Sequence, residues 1–479
     1  MIDFNLVPLL PELFLAMAAM GLLIVGVAHG NSVTPVICWA CAAALVVASF
    51  LLFGMSWEKQ IVLNGMFVFD NFAGFMKLLI ILGLITTLAL SVKYLEQERI
   101  SRFEYPVLIV LAGIGMMMMV SASNLLALYM GLELQSLSLY VLAAFNRNSL
   151  RSAEAGIKYF VLGALSSGML LFGISLIYGF TGSIDFGVIR GALEGLEAIP
   201  FGVTFGLVFI LAGLAFKISA VPFHMWTPDV YQGAPTCVTA LFAIVPKVAA
   251  IGLLMRLLYE PFLPVHDQWM QIIYFVSLGS MVLGAFAAIA QANIKRLLAY
   301  SSIGNMGYAL IGIVVGTPEG AGAVVLYILI YMVMTAGVFA IVLGMRRDGI
   351  AAEDISDLSG LSKTNPIQAY AMAIFMFSMS GIPPLAGFFG KLFIFQAAVS
   401  AEFYVLATLG IMTSVVAAYY YLKIIKVMFF DESIEAFDKD IPFARRVVLF
   451  VAVAFLLVFV IRPEAIVESA QNAAAVLFT

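Results

Sequence analysis

Four ionisable residues sit where an apolar sequence has little use for charge. Glu133, Lys217, Lys247 and Lys391 each fall about two helical turns or more inside an apolar segment, or beside an interruption in one. His224 follows one interruption directly, and Lys158 opens a Gly- and Ser-rich helix, IKYFVLGALSSGMLLFG. Withdrawal from water penalises the charged form of an amine or a carboxyl, which brings the charged and neutral forms close in free energy. A row of such groups can take up and release protons in turn, because the charge on one alters the proton affinity of the next. The chemistry implied is proton transfer. The bland alternative is that long side chains near helix ends lift their charges to an interface and need no function.

The elements that must position these residues are membrane helices. Of 479 residues, 63% are hydrophobic and 11% charged, against roughly 25% charged in soluble domains. Apolar runs of the ~20 residues needed to cross a hydrocarbon core recur along the whole chain. The expected fold is an all-α polytopic membrane protein of about fourteen transmembrane helices. At bilayer depth a lysine or glutamate costs at least ~2.5–3.5 kcal/mol, so such residues pair or face a hydrated path. Glu133 stands nine residues past Asn124, hence ~13 Å along the fifth helix and near the midplane.

Two stretches interrupt helices. In residues 213–236 Pro222 denies a hydrogen bond to the preceding turn, just after Lys217. In residues 378–396 Gly381, Pro383, Pro384, Gly387 and Gly390 cluster before Lys391. Unpaired backbone at membrane depth is tolerated only where protein or a hydrated cavity covers it, so a break beside a charge marks a path for ions or water. The breaks fall in helices 7 and 12, as expected if helices 4–8 and 9–13 are repeats inserted with opposite orientation. AGLAFK (212–217) and AGFFGK (386–391) share A-G-x-x-x-K. The expected divisions are a three-helix segment, 1–104; a first repeat, 105–258; a second repeat, 259–430; and a loop with helix 14, 431–479.

Fifteen of the 24 basic residues fall in connections after odd-numbered helices, among them Lys93, Arg147, Arg151, Lys295, Arg296, Arg346, Arg347, Lys439 and Arg445. Four, Lys59, Arg190, Arg256 and Arg462, follow even-numbered helices. The positive-inside rule places the basic-rich side in the cytoplasm and both termini outside it. The five remaining basic residues lie within apolar segments: Lys77, Lys158, Lys217, Lys247 and Lys391. For Lys77, near the start of the third helix, snorkelling or local pairing suffices, and Lys158 fits an anchor as well as a site. His224 could hydrogen-bond a freed carbonyl or join a relay, and Asp229 reads as a cap for the segment that follows. Cys38, Cys41 and Cys237 read as small residues in apolar helices, short of the four thiolates of an iron–sulfur site. A net charge of −4 with no basic aromatic stripe offers nothing to nucleic acid. The N-terminus lacks the basic region of a secretory signal and reads as a retained first helix.

At these residues the chain resembles the antiporter-like membrane subunits of proton-pumping NADH–quinone oxidoreductase, respiratory complex I. The resemblance rests on MGLELQSLSLYVL (130–142), VPFHMWTPDVYQGAPT (221–236), AQANIKRLLAYSSIGNMGY (290–308) and SGIPPLAGFFGK (380–391). Lys391 sets it apart from a sister branch that carries a glutamate there. The resemblance implies that Glu133 pairs with Lys217, that Lys247 sits centrally, that Lys391 leads toward the outer face, and that His224 and Lys158 bridge between them. It further implies no cofactor on this chain, with NADH, flavin, iron–sulfur clusters and quinone in other subunits. The implied partners are sister antiporter-like subunits, small membrane subunits and the bilayer of a bacterial inner membrane. The same architecture would serve a cation/proton antiporter, which Na⁺ transport without quinone-dependent activity would reveal. A structural scaffold would instead lose assembly, rather than turnover, when its charges are removed.

Overall fold

The computed structural model describes residues 5–195, 198–438 and 441–478; Lys439 lies outside the described residues. The chain is mostly helical, since backbone groups withdrawn from water must satisfy one another within the segment. In chain order the first ten helices are α1 (Leu10–His29), α2 (Thr34–Phe53), α3 (Asn71–Gln97), α4 (Glu104–Val120), α5 (Leu125–Ala143), α6 (Leu150–Thr181), α7 (Phe186–Glu194), α8 (Phe201–Ile218), α9 (Trp226–Gly233) and α10 (Thr236–Tyr259). They are followed by α11 (His266–Ile289), α12 (Ile294–Val315), α13 (Pro318–Val342), α14 (Leu361–Thr364), α15 (Pro366–Ser380), α16 (Ala386–Ser400), α17 (Tyr404–Phe430), α18 (Phe443–Ile461) and α19 (Glu464–Ala475). Among the described residues eleven helical stretches are long and apolar enough to span a membrane, one of them covering α1 and α2 together.

The connections hold two short antiparallel hairpins, Gln60–Val62 with Phe67–Phe69 and Arg346–Arg347 with Ile350–Ala351. They pair backbone that has left the helices and would otherwise stay unsatisfied.

Side-chain caps fix where helices start. Asp70 accepts from Ala73 N–H at 2.7 Å to open α3, and Asn124 accepts from Leu126 N–H at 2.8 Å to open α5. Asn293 opens α12 in the same way, accepting from Lys295 and Arg296 N–H. Small residues then let helices approach: a Cβ on Gly115 of α4 would stand 2.6 Å from the Gly131 carbonyl of α5. Helix α10 is the central one, with every residue buried. Helix α18 lies at the edge and leaves most of its surface outward.

Two buried ion clusters anchor α3, one to α10 and the other to α1. Arg256 grips Asp70 through two contacts of 2.8 and 3.0 Å and reaches Glu260 at 2.6 Å. The sequence reading placed Arg256 in a connection, but it lies in the last turn of α10 and is fully buried. Lys77 is likewise fully buried, with its amine 2.7 Å from Glu12 and facing the Phe67 ring. Local pairing, rather than snorkelling, describes Lys77.

Candidate functional site

Both expected breaks are present and are built alike. Helix α8 ends at Ile218, and Ser219 turns into the left-handed region with φ of 61°. Helix α15 ends at Ser380, and Gly381 does the same with φ of 81°. In each case the next N–H reaches back to a carbonyl one turn earlier, Ala220 to Ala215 at 2.8 Å and Ile382 to Phe377 at 3.2 Å. A proline follows three residues after each turn residue, Pro222 and Pro384. The second half-helices, α9 and α16, start soon after.

The last carbonyls of each first half-helix have no helical partner, and in both breaks a lysine amine supplies one. Lys247 donates to the Ile218 carbonyl at 2.8 Å and to the Ser219 hydroxyl. It stands eleven residues into the 24-residue α10, ~17 Å along a helix of ~36 Å and so near its middle. Lys391 donates to the carbonyls of Met379 and Ser380 at 3.1 and 3.3 Å and to Ser414 Oγ at 2.8 Å. A cation at a helix C-terminus also complements the helix dipole. Lys295 repeats the device at the end of α9, where it donates to the Ala234 carbonyl at 3.0 Å.

Lys217 lies in the last turn of α8 and points at α5, not at a carbonyl. Its amine donates to Ser136 Oγ at 2.7 Å and to the Tyr140 hydroxyl at 3.3 Å. Glu133, Ser136 and Tyr140 follow one another at three- and four-residue steps, so they line one face of α5. Glu133 makes no ion pair within 4.0 Å of Lys217, and Oε1 of Glu133 is buried without a hydrogen-bond partner among the described residues. The Ser136 hydroxyl that accepts from Lys217 itself donates to the Leu132 carbonyl at 2.6 Å, so Glu133 shares a helix face with the acceptors of Lys217 without touching the amine.

His224 is half-buried in the first break, and its Nδ1 has no hydrogen-bond partner. Trp226 donates to the Phe216 carbonyl at 3.0 Å and stacks on Tyr159 at 4.4 Å, which covers the break. Lys158 is partly exposed and lies 2.7 Å from Asp229 and 2.8 Å from Glu154. Asp229 was expected to cap the following segment. It instead bridges Lys158 to Arg296, 2.7 Å from each, because the first turn of α9 aims it at α6 and α12.

Between the two breaks runs a polar seam that residue-by-residue reading of the sequence missed. Asn305 of α12 accepts from the Tyr327 hydroxyl at 2.6 Å and donates to the Ser301 carbonyl at 2.8 Å. Ser301 meets the Tyr421 hydroxyl at 2.6 Å. One turn along α12, Tyr308 contacts Thr413 at 3.4 Å, and the Lys391 amine lies 4.7 Å from its ring centroid. Toward the first break, Tyr231, Ser302 and Thr335 present buried hydroxyls that close no hydrogen bond with a described residue. The available signal was weak: hydroxyls spaced by three or four on apolar helices read as packing residues until the facing helices are known.

Comparison with known proteins follows the same geometry. The family described as NADH:quinone oxidoreductase/Mrp antiporter, TM, matches residues 122–417, which include Glu133, Lys158, Lys217, His224, Lys247 and Lys391. The chain is similar to NADH-quinone oxidoreductase subunit N of Paramagnetospirillum magneticum, at 51% identity over 99% of this chain and 98% of that one. It is 53% identical to subunit N of Parvibaculum lavamentivorans, covering 98% of this chain and 97% of that one. Among solved structures it resembles a chain of respiratory complex I from Thermus thermophilus, with TM-score 0.83, 31% identity, and coverage of 96% and 99% of the two chains. A chain of the Mrp complex from Dietzia shares the fold, with TM-score 0.84 at 24% identity over 99% and 98%. A charged, twice-broken helical interior and these matches together place the chain in the NADH:quinone oxidoreductase/Mrp antiporter family of transmembrane subunits.

Proposed function

We propose that this chain is the N-type, proton-translocating subunit in the membrane arm of a bacterial NADH–quinone oxidoreductase. The observation that carries the reading is the row of buried lysine amines, Lys217, Lys247 and Lys391, each held by hydroxyls or freed carbonyls at a helix break. Neutral acceptors of this kind hold an amine without a fixed countercharge, so the amine is not locked in one protonation state. Protons pass from Glu133 and Lys217 through Lys247, along the hydroxyl seam, to Lys391, with water completing the steps that direct contacts leave open. Lys158 and His224 flank the row. Redox chemistry belongs to partner subunits, which hold NADH, flavin, iron–sulfur clusters and quinone. Moving each proton against 100 mV costs ~2.3 kcal/mol, which those partners must supply.

The architecture in this reading has fourteen crossings: α8 with α9 forms the seventh, α15 with α16 the twelfth, and α7, α14 and α19 lie outside the count. Helices α4–α10 and α11–α17 form the two inverted repeats, residues 105–258 and 259–430, flanked by 1–104 and 431–479. Supporting the repeats, Asn124 bridges Asp185 and Asn293 bridges Asp354 across the same chain separation. The basic-rich side faces the cytoplasm and both termini lie outside it. The test is Lys217→Ala in the assembled complex. It is expected to lower both proton pumping and coupled quinone reduction per complex, and full retention of both removes Lys217 from the path.

A further inference from the structure

Five lysines are buried among the described residues: Lys77, Lys217, Lys247, Lys295 and Lys391. Their partners divide them into two kinds. Lys77 lies 2.7 Å from Glu12, and Lys295 donates to Glu353 at 2.9 Å and to the Ala234 carbonyl at 3.0 Å. The other three have no carboxylate within ion-pair distance among the described residues, and each donates to one serine. Lys217 donates to Ser136 Oγ at 2.7 Å, Lys391 to Ser414 Oγ at 2.8 Å, and Lys247 to Ser219 Oγ. Lys217 also reaches the Tyr140 hydroxyl, at 3.3 Å. The serines come from α5, the first break and α17, so the pattern is not the repeat of one segment.

The distinction matters when a proton leaves. A charged amine offers three N–H donors and needs only acceptors. When one N–H bond breaks and the proton passes to a water, the amine keeps two N–H groups and gains a lone pair, which in a buried site needs a donor. A carbonyl or an ionised carboxylate can only accept, so neither can supply it. The ring faces that these amines also meet, Tyr140, Trp226 and Tyr308, attract the cation alone. A hydroxyl holds both a donor and acceptor lone pairs and rotates to suit. Two of the serines park that donor nearby, Ser136 on the Leu132 carbonyl at 2.6 Å and Ser414 on the Ser380 carbonyl at 3.5 Å. The Leu132 carbonyl lies inside α5 and keeps its helical N–H when the hydroxyl turns away.

We propose that Ser136, Ser219 and Ser414 are the reversible partners of the row: each accepts from its lysine while the amine is charged and turns to donate to it once the proton has left. The inference rests on the lysines carrying protons, as in the function proposed above, and adds the groups that stabilise their neutral state. Lys77 and Lys295 lack such a partner and stand outside the row.

The experiment measures the rate of proton pumping by proteoliposomes that hold the assembled complex. Ser414→Ala is expected to lower it about tenfold, the weight of one buried hydrogen-bonding group left open. Ser414→Thr, which returns a hydroxyl to the same Cβ, is expected to restore it. Ser219→Gly removes the hydroxyl of the first break without straining its left-handed turn, and is expected to lower pumping to a similar extent even if Ser414→Ala does not assemble. Ser277→Ala removes a buried hydroxyl that donates to the Gly307 carbonyl and meets no lysine, and is expected to leave pumping unchanged. Unaltered pumping in both Ser414→Ala and Ser219→Gly, with Lys391→Arg inactive, overturns the proposal and leaves the proton row standing. Equal losses in Ser414→Ala and Ser414→Thr overturn it as well, for they report packing. Unaltered pumping by Lys391→Arg overturns the row and the proposal with it.

Discussion

Set α5 on α12 through their asparagine caps, and Glu133 falls opposite Ser302 while Ser136 falls opposite Asn305. The glycine contacts agree with this register, since Gly115 meets Gly131 and Gln135 as Gly284 meets Tyr300 and Gly304. Set the two breaks together through Ser219 and Gly381, and Lys217 falls opposite Met379 while Asp229 falls opposite Lys391. The backbone frame is thus shared, and the charges are not. The first half holds a carboxylate, a hydroxyl-bound lysine and a lysine from the next helix that caps the break. The second half caps its break with a lysine from the broken helix itself, and no carboxylate among the described residues lies within ion-pair distance of it. What is common to the halves is the need to satisfy freed carbonyls in an apolar medium, and what differs is which helix supplies the capping lysine and whether a buried carboxylate shares the half.

That contrast can be broken first at the capping lysines. Lys247→Leu and Lys391→Leu are each expected to lower proton pumping and coupled quinone reduction by about 10²-fold or more, the scale for losing a positioned proton carrier. A silent substitution at either position would end the equivalence of the two breaks. Glu133→Gln should act on the first half alone. It is expected to lower pumping by about tenfold, less than the loss of a positioned proton carrier, with assembly unchanged on native gels.

The turn residues sharpen the comparison on a smaller scale. Ser219 holds a left-handed conformation that costs a residue with a Cβ ~1–2 kcal/mol, and its hydroxyl meets Lys247. Ser219→Gly is expected to raise the thermal midpoint of the assembled complex while lowering its pumping. Gly381→Ala is expected to do the reverse to stability, losing ~1–2 kcal/mol and pressing on Lys391, whose Cδ would lie 3.0 Å from the new Cβ. The smallest effect belongs to Asp229→Asn. Its ion pair with Lys158 is more than a third exposed, so the loss of stability should stay below ~1 kcal/mol.

The sequence was most readable where lipid imposes a single solution. Apolar length located the helices, and prolines at the ends of apolar half-helices beside a lysine, Pro222 and Pro384, located the breaks; a lone proline is not enough, since Pro246 sits inside the continuous α10. It was least readable where partners come from distant helices. The A-G-x-x-x-K match between 212–217 and 386–391 is misleading on the structure: the first copy ends the first half-helix and the second copy opens the second half-helix. Asp229 looked like a cap because its partners, Lys158 and Arg296, are remote in sequence. Arg256 looked like a loop residue because Asp70, which makes its burial tolerable, is also far along the chain. The hydroxyl seam was invisible for the same reason: Ser301, Asn305, Tyr327 and Tyr421 gain meaning only when α12, α13 and α17 meet.

The central claim is that the lysines at the breaks carry protons in addition to satisfying carbonyls. Arginine separates the two roles, for it donates as many hydrogen bonds yet does not give up its proton in a protein. The decisive measurement is proton uptake per electron by proteoliposomes holding the assembled complex with Lys391→Arg. Complete assembly with pumping abolished is the expected result, and pumping at the unaltered ratio would contradict it.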